Sequence, residues 1–194
     1  MKLVIIFLIS MSIFAGCGLR SIPQAKNQVE SSLAEVTNQY KRRLDLVPNL
    51  VATVKGYASH EQETLTAVTE ARAKATAIQI DPSKATPAQL EEYQKAQGSL
   101  SQALGRLMVV SERYPDLKAN TNFRDLQAQL EGTENRIAIA RQRHIEAIKL
   151  FNDQVSVPPE SWTNALIYHF DKMAQWTLND EERQKAEQAP KVEF

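Results

Sequence analysis

The chain has 194 residues, with 23 Lys and Arg against 23 Asp and Glu, so its formal net charge is zero. This balance argues against a nucleic-acid-binding protein, which needs a positive field to attract phosphates. Glycine accounts for only 6 residues and aromatic side chains for 7%. Because good helix formers dominate the middle of the chain, we predict an all-α protein.

The N-terminus has the features of a secretory signal. Met1 and Lys2 precede an apolar stretch that ends in small residues, which predicts a signal peptide over residues 1–16. The sequence FAGC, Phe14–Cys17, resembles the lipobox of bacterial lipoproteins. The resemblance implies that Cys17 carries a diacylglycerol group and becomes the first residue of the mature chain. Two or more acyl chains anchor a protein stably in a membrane.

An uncleaved transmembrane anchor is the alternative interpretation, although Leu3–Leu19 is at the lower limit of length for spanning a bilayer. Either anchor places the body in the cell envelope, outside the cytoplasm. Gly18 follows the cysteine, and by the usual sorting rule this favours the outer membrane in a bacterium with two membranes. Residues 17–24 are predicted to form a lipidated tether.

The first predicted helix carries apolar residues at helical spacing from Val29 to Leu65. These residues project in one direction without a change of phase at Pro48. We therefore predict one long helix over about 24–79, kinked near Pro48. The alternative is a break, with Asp45 capping a second helix and Pro48 in its first turn.

Three further helices are predicted. Thr86 and Gln89 form a capping signal around Pro87, and the second helix ends near Tyr114. The third carries a stripe from Phe123 to Phe151. A shorter fourth helix, about 160–177, has a stripe made of Trp162, Leu166, Phe170, Met173 and Trp176. We predict an elongated antiparallel helical bundle over 25–178 and a charged tail over 179–194.

The aromatic residues of the fourth helix have two interpretations. Trp162, Phe170, Met173 and Trp176 either belong to the bundle core or form an interfacial apolar face. The core is the preferred interpretation.

Three segments resemble the LemA family: Lys41–Ala73, Tyr114–Arg141 and the ending Ala189–Phe194. The resemblance implies an elongated helical bundle held at a membrane by its N-terminus, without enzymatic activity. It also implies a structural role for matching motif residues, which are Arg42, Arg43, Pro48, Asn49, Arg72, Glu131, Glu134, Asn135, Arg136 and Arg141. The lipobox departs from the uncleaved transmembrane helix of most relatives, and the aromatic segment Ser156–Asn179 replaces a shorter apolar one.

Glu134 is the one motif residue whose chemistry raises a question. The apolar stripe of the third helix passes through Thr133 and Glu134, and a carboxylate at the edge of a core needs a partner. We hypothesise that it pairs with Arg43 or Arg72. The cationic triplet Lys41–Arg43 is interpreted as a solvated face with one arginine turned toward the core, rather than as a lipid-binding patch.

The sequence nominates no catalytic residue. His60, His144 and His169 lack the spacing of a zinc site, and His144 is interpreted as a hydrogen-bonded core residue. We expect a non-enzymatic scaffold that binds membrane lipid through its acyl anchor and an unidentified envelope protein, with no cofactor, metal, nucleic acid or small-molecule substrate. The alternative, implied by some relatives, is an adaptor that regulates a membrane metalloprotease.

Overall fold

The computed structural model describes residues 19–174, and all regular structure in this range is helical. The all-α fold predicted from the sequence is confirmed. The predicted signal peptide, Cys17 and the charged tail lie outside the described residues. In chain order the elements are α1 (Ser21–Tyr57), α2 (Gln62–Ala77), α3 (Pro87–Ser111), α4 (Pro115–Ala119), α5 (Thr121–Ser156), α6 (Glu160–Thr163) and a π-helical turn (Asn164–Tyr168).

The described residues divide into two compact units, referred to here as the terminal unit and the central unit. The terminal unit contains residues 19–36 and 139–174. The central unit contains residues 37–138. Helices α1 and α5 contribute residues to both units.

The central unit is built from four helical segments around one apolar core. The second part of α1, all of α2 and α3, and the first part of α5 each bury one face, and α4 adds Leu117. The residues buried here include Leu44, Val47, Leu50, Val54, Leu65, Val68, Leu100, Leu104, Leu107, Phe123 and Leu130. All of these except Leu50 and Val68 belong to the stripes predicted from helical spacing, and their burial confirms those stripes.

Side-chain contacts give the directions of these helices. Arg72 of α2 reaches Leu44 of α1, which makes the two consecutive helices antiparallel. Arg43 of α1 contacts Glu134 of α5, and Tyr57 at the end of α1 contacts Asn120 just before α5, so these helices are antiparallel as well. Helix α3 runs parallel to α1, because Arg43 of α1 reaches Gln97 of α3 and Glu61, just after α1, reaches Tyr114, just after α3. The central unit is therefore an up-down-up-down bundle.

Pro48 lies inside α1 and does not end it. The alternative of a break capped by Asp45 is wrong. Pro48 is exposed, so its ring does not disturb the core. Proline lacks an N–H, and the carbonyl of Leu44, four residues earlier, loses its usual donor. The Nε of Arg72 donates to that carbonyl at 3.0 Å instead.

Helix α1 ends at Tyr57, so the predicted single helix over 24–79 is wrong in its extent. Ala58–Glu61 form a tight corner, after which α2 begins at Gln62. The Glu61 carboxylate accepts hydrogen bonds from Tyr114 Oη at 2.9 Å and Arg113 Nη2 at 3.1 Å. Ala58 is fully buried. The corner therefore keeps the spacing of apolar residues, because both helices face the same core.

The start of α3 follows the predicted signal. The backbone N–H of Gln89 donates to Thr86 Oγ1 at 3.3 Å, and the backbone N–H of Thr86 donates to Gln89 Oε1 at 3.0 Å. This reciprocal pair is a capping box with Pro87 in the first turn. The helix start predicted at Thr86–Pro87 is confirmed.

The terminal unit packs the start of α1 against the end of α5. Its core contains Ile22, Ala25, Val29, Ala147, Ile148, Phe151 and Val155, with Phe170 and Met173 packed against it. The predicted fourth helix over 160–177 is wrong, because helical structure ends at Tyr168 and residues 169–174 have no regular structure. Trp162 and Leu166 are exposed rather than core residues, and Trp176 lies outside the described residues.

Candidate functional site

A buried arginine lies at the centre of the central unit. Arg43 is 1% exposed, and its guanidinium reaches three other side chains. Nη1 donates to Ser101 Oγ at 2.6 Å and to Glu134 Oε1 at 2.7 Å. Nη2 donates to the side-chain and backbone oxygens of Gln97. One cation from α1 thus ties α3 and α5 together with charge-assisted hydrogen bonds.

Glu134 is more exposed to solvent than its partner Arg43. Its side chain is 43% exposed, so water reaches one side of the carboxylate while Arg43 contacts the other. Of the two partners considered for Glu134, the structure selects Arg43. Arg72 instead donates a hydrogen bond to the carbonyl of Leu44.

Two tyrosines close one side of this cluster. The rings of Tyr40 and Tyr93 meet edge to face, with centroids 5.5 Å apart. The guanidinium carbon of Arg43 lies 5.0 Å from the centroid of the Tyr40 ring, which is within the range of a cation–π interaction. Burial raises the pKa of Tyr93 to about 12, and Tyr40 adds to this rise. Tyr93 therefore stays neutral beside the arginine.

The other motif residues are spread over the helix surfaces. Arg42, Pro48, Asn49, Asn135 and Arg136 are exposed, whereas Arg72 and Arg141 are half-buried. Glu131 is also exposed, and its carboxylate accepts a hydrogen bond from Gln127 within α5. Within this set, the structure pairs Arg43 with Glu134 at a helix interface, and it directs Arg72 to the Leu44 carbonyl that Pro48 leaves without a donor.

Sequence reasoning did not assign a role to Gln97 or Ser101, which complete the arginine site. A signal for Gln97 was present, because this polar residue occupies a position of the α3 stripe between Tyr93 and Leu100. A polar side chain at a core position requires a hydrogen-bond partner. Ser101 carried no such signal, since it lies on the exposed side of α3.

The terminal unit contains a buried histidine. His144 is buried on α5, and its Nδ1 lies 2.9 Å from Ser32 Oγ on α1. Burial lowers the pKa of His144, while the Val29 carbonyl opposes this effect. The prediction of a hydrogen-bonded core histidine is confirmed. The arrangement holds a neutral imidazole between two helices.

The chemistry of the described residues is that of a helix interface. Within residues 19–174, His, Asp and Glu side chains form no group of three able to hold a metal ion. Arg43 contacts acceptors from the protein itself, so its charge is neutralised internally. This geometry can fix the relative positions of helices, and the arginine site contains no nucleophile placed beside a base.

Comparison with known proteins identifies the family to which the chain belongs. The model of the LemA family matches residues 32–194, a range that includes Arg43, Gln97 and Glu134. The chain belongs to the LemA family.

A curated LemA protein from Metamycoplasma hominis is 24% identical over 146 residues. The aligned region covers 75% of this chain and 62% of the relative, so the chain spans less than two thirds of the length of that LemA protein. None of the helices within residues 19–174 is both long and apolar enough to cross a membrane.

Proposed function

We propose that this LemA-family chain is a lipid-anchored, non-enzymatic interaction protein of the bacterial envelope. The anchor is Cys17, carried by the lipobox-like sequence FAGC. The partner is a protein of the envelope that contacts the outer faces of the helices. Membrane attachment would raise the effective concentration of the helical body near such partners.

The observation that supports this proposal is the position of Leu19. Its carbonyl accepts a hydrogen bond from Tyr168 Oη at 2.6 Å, so the chain is already part of the terminal unit two residues after Cys17. Two residues span at most about 7 Å. The folded body would therefore begin directly at the lipid anchor, without a long flexible linker.

The inward orientation of Arg43 supports a structural rather than catalytic use of the family motif. Its charge is used to join α1, α3 and α5, and buried charged groups fix helix register in some proteins. A bundle with a fixed register presents the same outer surface at all times, as an interaction protein requires.

The anchor is tested by metabolic labelling with palmitate in a bacterial host. We expect label on the wild-type chain and none on Cys17→Ala. The variant should also leave the membrane fraction if its signal is still processed by the general secretory route. Equal absence of label from both chains would contradict lipidation and would leave the transmembrane anchor Leu3–Leu19 as the explanation of the apolar segment.

The interaction is tested by in-cell crosslinking and mass spectrometry on the anchored wild-type chain. Cys17→Ala is the matched control once fractionation shows that it has left the membrane, because it then keeps the helical body and lacks the anchor. We expect one or a few envelope proteins that crosslink to the wild type and are lost from the control. A membrane protease as the dominant partner would replace the scaffold with the adaptor role, whereas identical sets from both chains would contradict a role for anchoring.

A further inference from the structure

The segment after α5 exposes large apolar side chains. Trp162 is 62% exposed, Leu166 79% and Ile167 54%. They lie in α6 and the π-helical turn that follows it. Residues four and five apart lie on one side of such a turn, so Leu166 and Ile167 project on the same side as Trp162. This set of three is referred to below as the apolar tip.

The polar side chain of the same segment is turned inward. Asn164 is buried, and its Nδ2 donates to the carbonyl of Phe170 at 2.9 Å. Its Oδ1 accepts from the backbone N–H of Phe170 at 3.0 Å. In this segment a polar amide is buried while three large apolar side chains are exposed to solvent. This is the reverse of the usual distribution at a protein surface in water. This reversal is typical of a surface that contacts an apolar phase.

The segment is also held firmly on α5. Asn152 of α5 donates from Nδ2 to the carbonyl of Met173 at 2.9 Å, and its Oδ1 accepts from the Met173 N–H at 2.8 Å. Phe170 packs against the core of the terminal unit and stacks on Tyr168 at 5.5 Å between centroids. These contacts fix the chain that follows the turn, and Asn164 Nδ2 at the start of the turn lies 3.4 Å from the Val155 carbonyl of α5, so the apolar tip is a defined surface.

The apolar tip lies at the point where the anchor would enter the fold. Tyr168, the residue after Ile167, donates to the carbonyl of Leu19 at 2.6 Å. Leu19 is itself exposed. Cys17 is at most about 7 Å of chain away from it. An acyl group on Cys17 would thus bring the lipid surface to the same end of the terminal unit as the tip.

We propose that the apolar tip inserts into the interfacial region of the lipid leaflet that holds the anchor. This inference rests on the proposed membrane anchor. Tryptophan prefers the interface because its ring is apolar and its N–H is polar. Apolar faces of this kind lie about 5–10 Å into the headgroup and acyl boundary. The exposed charges nearby are mixed, with Arg20 and Lys172 against Asp171, so insertion depends on apolar area rather than on anionic lipid.

The test uses the full chain purified from bacterial membranes and reconstituted into phosphatidylcholine vesicles. The chain has two tryptophans, Trp162 and Trp176, so Trp176→Phe leaves Trp162 as the single reporter. Vesicles containing phosphatidylcholine brominated on its acyl chains quench tryptophans that reach the bilayer. We expect emission from Trp162 to fall at least twofold on going from unbrominated to brominated vesicles, with little dependence on salt.

The matched control carries Ile139→Trp together with Trp162→Phe and Trp176→Phe. Ile139 is another exposed apolar residue of the terminal unit, and it lies about 24 Å along α5 from Val155. We expect its emission to be unchanged by the brominated lipid. Trp162 emission that brominated lipid leaves unchanged, as in this control, would overturn the inference. This holds even if the Trp162 emission is shifted to the blue, because another part of the chain could then cover the tryptophan.

Vesicle flotation separates this inference from the proposed anchor. If the chain floats and Trp162 is not quenched, the anchor stands and the inserted tip is wrong. If the wild-type chain does not float, the anchor is wrong and the inference fails with it. Flotation together with quenching of Trp162 alone supports both.

Discussion

Arg72 donates from Nε to the carbonyl oxygen of Leu44 at 3.0 Å, and this carbonyl is the helical acceptor that Pro48 leaves without a donor. The contact explains how α1 continues through a proline. An unpaired buried carbonyl costs free energy comparable to a lost hydrogen bond, and the guanidinium from α2 removes that cost. Two motif residues from different helices thus act on the same backbone group.

We therefore predict that Pro48 and Arg72 are energetically coupled. Arg72→Met should lower the free energy of unfolding by about 0.5–1.5 kcal/mol in the wild-type background, the usual value of one hydrogen bond. In the Pro48→Ala background it should cost clearly less, because the substituted alanine supplies the N–H that the Leu44 carbonyl lacks. The measurement is a double-mutant cycle by urea denaturation.

Arg136→Met is the control for this cycle. Arg136 is exposed on α5 and does not serve the Leu44 carbonyl, so its effect should add to that of Pro48→Ala. If Arg72→Met costs the same with and without the proline, the carbonyl contact does not explain the continuity of α1.

Two ion pairs with the same N–O distance allow the effect of burial to be measured. Arg43 Nη1 and Glu134 Oε1 are 2.7 Å apart, as are Arg143 Nη1 and Glu35 Oε1. The first arginine is 1% exposed, whereas the side chains of the second pair are 60% and 38% exposed. Both pairs are hydrogen-bonded, but the arginine is buried in the first pair and exposed in the second.

We predict coupling energies of about 1.5–3 kcal/mol for Arg43 with Glu134, as for hydrogen bonds to charged groups, and below about 1 kcal/mol for Arg143 with Glu35. The cycles use Arg→Met and Glu→Gln substitutions. Added salt should reduce the second coupling more than the first, because screening acts mainly on exposed charges. Equal couplings that respond equally to salt would show that burial of Arg43 has no energetic consequence.

The neighbouring arginines Arg42 and Arg43 should respond differently to the same conservative change. Arg43→Lys keeps the charge but loses the planar fork that reaches Ser101, Gln97 and Glu134 together. Since the oxygens of the buried Gln97 then lose their donors, we expect a loss of about 1–3 kcal/mol in the free energy of unfolding. Arg42→Lys, on the exposed side of α1, should change it by less than about 0.5 kcal/mol. Similar losses for both would mean that the guanidinium shape is unimportant at position 43.

Helical spacing in the sequence predicted the buried stripes well. It also placed Thr133 and His144 correctly in the interior, because polar residues that keep the phase of a stripe share its burial. The end of α1 at Tyr57 was not predictable in this way. Ala58 lies in the corner and faces the core, so the spacing of apolar residues continues through the corner without a change of phase. The chain reverses direction there because Tyr114 and Arg113, which are distant in sequence, donate hydrogen bonds to Glu61.

In the C-terminal segment, helical spacing predicted a longer helix than the structure contains. Trp162, Leu166, Phe170 and Met173 have helical spacing, yet only Phe170 and Met173 pack against a core. The hydrogen bonds of Asn164 and Asn152 to the backbone near Phe170 and Met173 decide this conformation. Such side-chain-to-backbone bonds compete with helix formation, and spacing alone does not reveal them.

His144 gives the terminal unit a stability that depends on pH. Burial lowers the pKa of His144 in the folded chain, whereas an unfolded histidine titrates near 6.5. Below about pH 6.5 the unfolded chain therefore binds the proton more readily than the folded chain, and stability falls as the pH decreases toward the lowered folded pKa. Above that pH both states hold a neutral imidazole, and the full stability is present.

We expect the melting temperature of the wild type to fall more steeply below about pH 6.5 than that of His144→Gln, with parallel profiles above about pH 7. Taking the difference between the two chains removes the contributions of all other titrating groups. Ser32→Ala is the matched control, because it removes the hydroxyl beside Nδ1 but leaves the imidazole buried, and burial is the larger cause of the pKa shift. It should keep the wild-type pH dependence. Parallel profiles of the wild type and His144→Gln over about pH 5–8 would show that His144 does not titrate differently on folding.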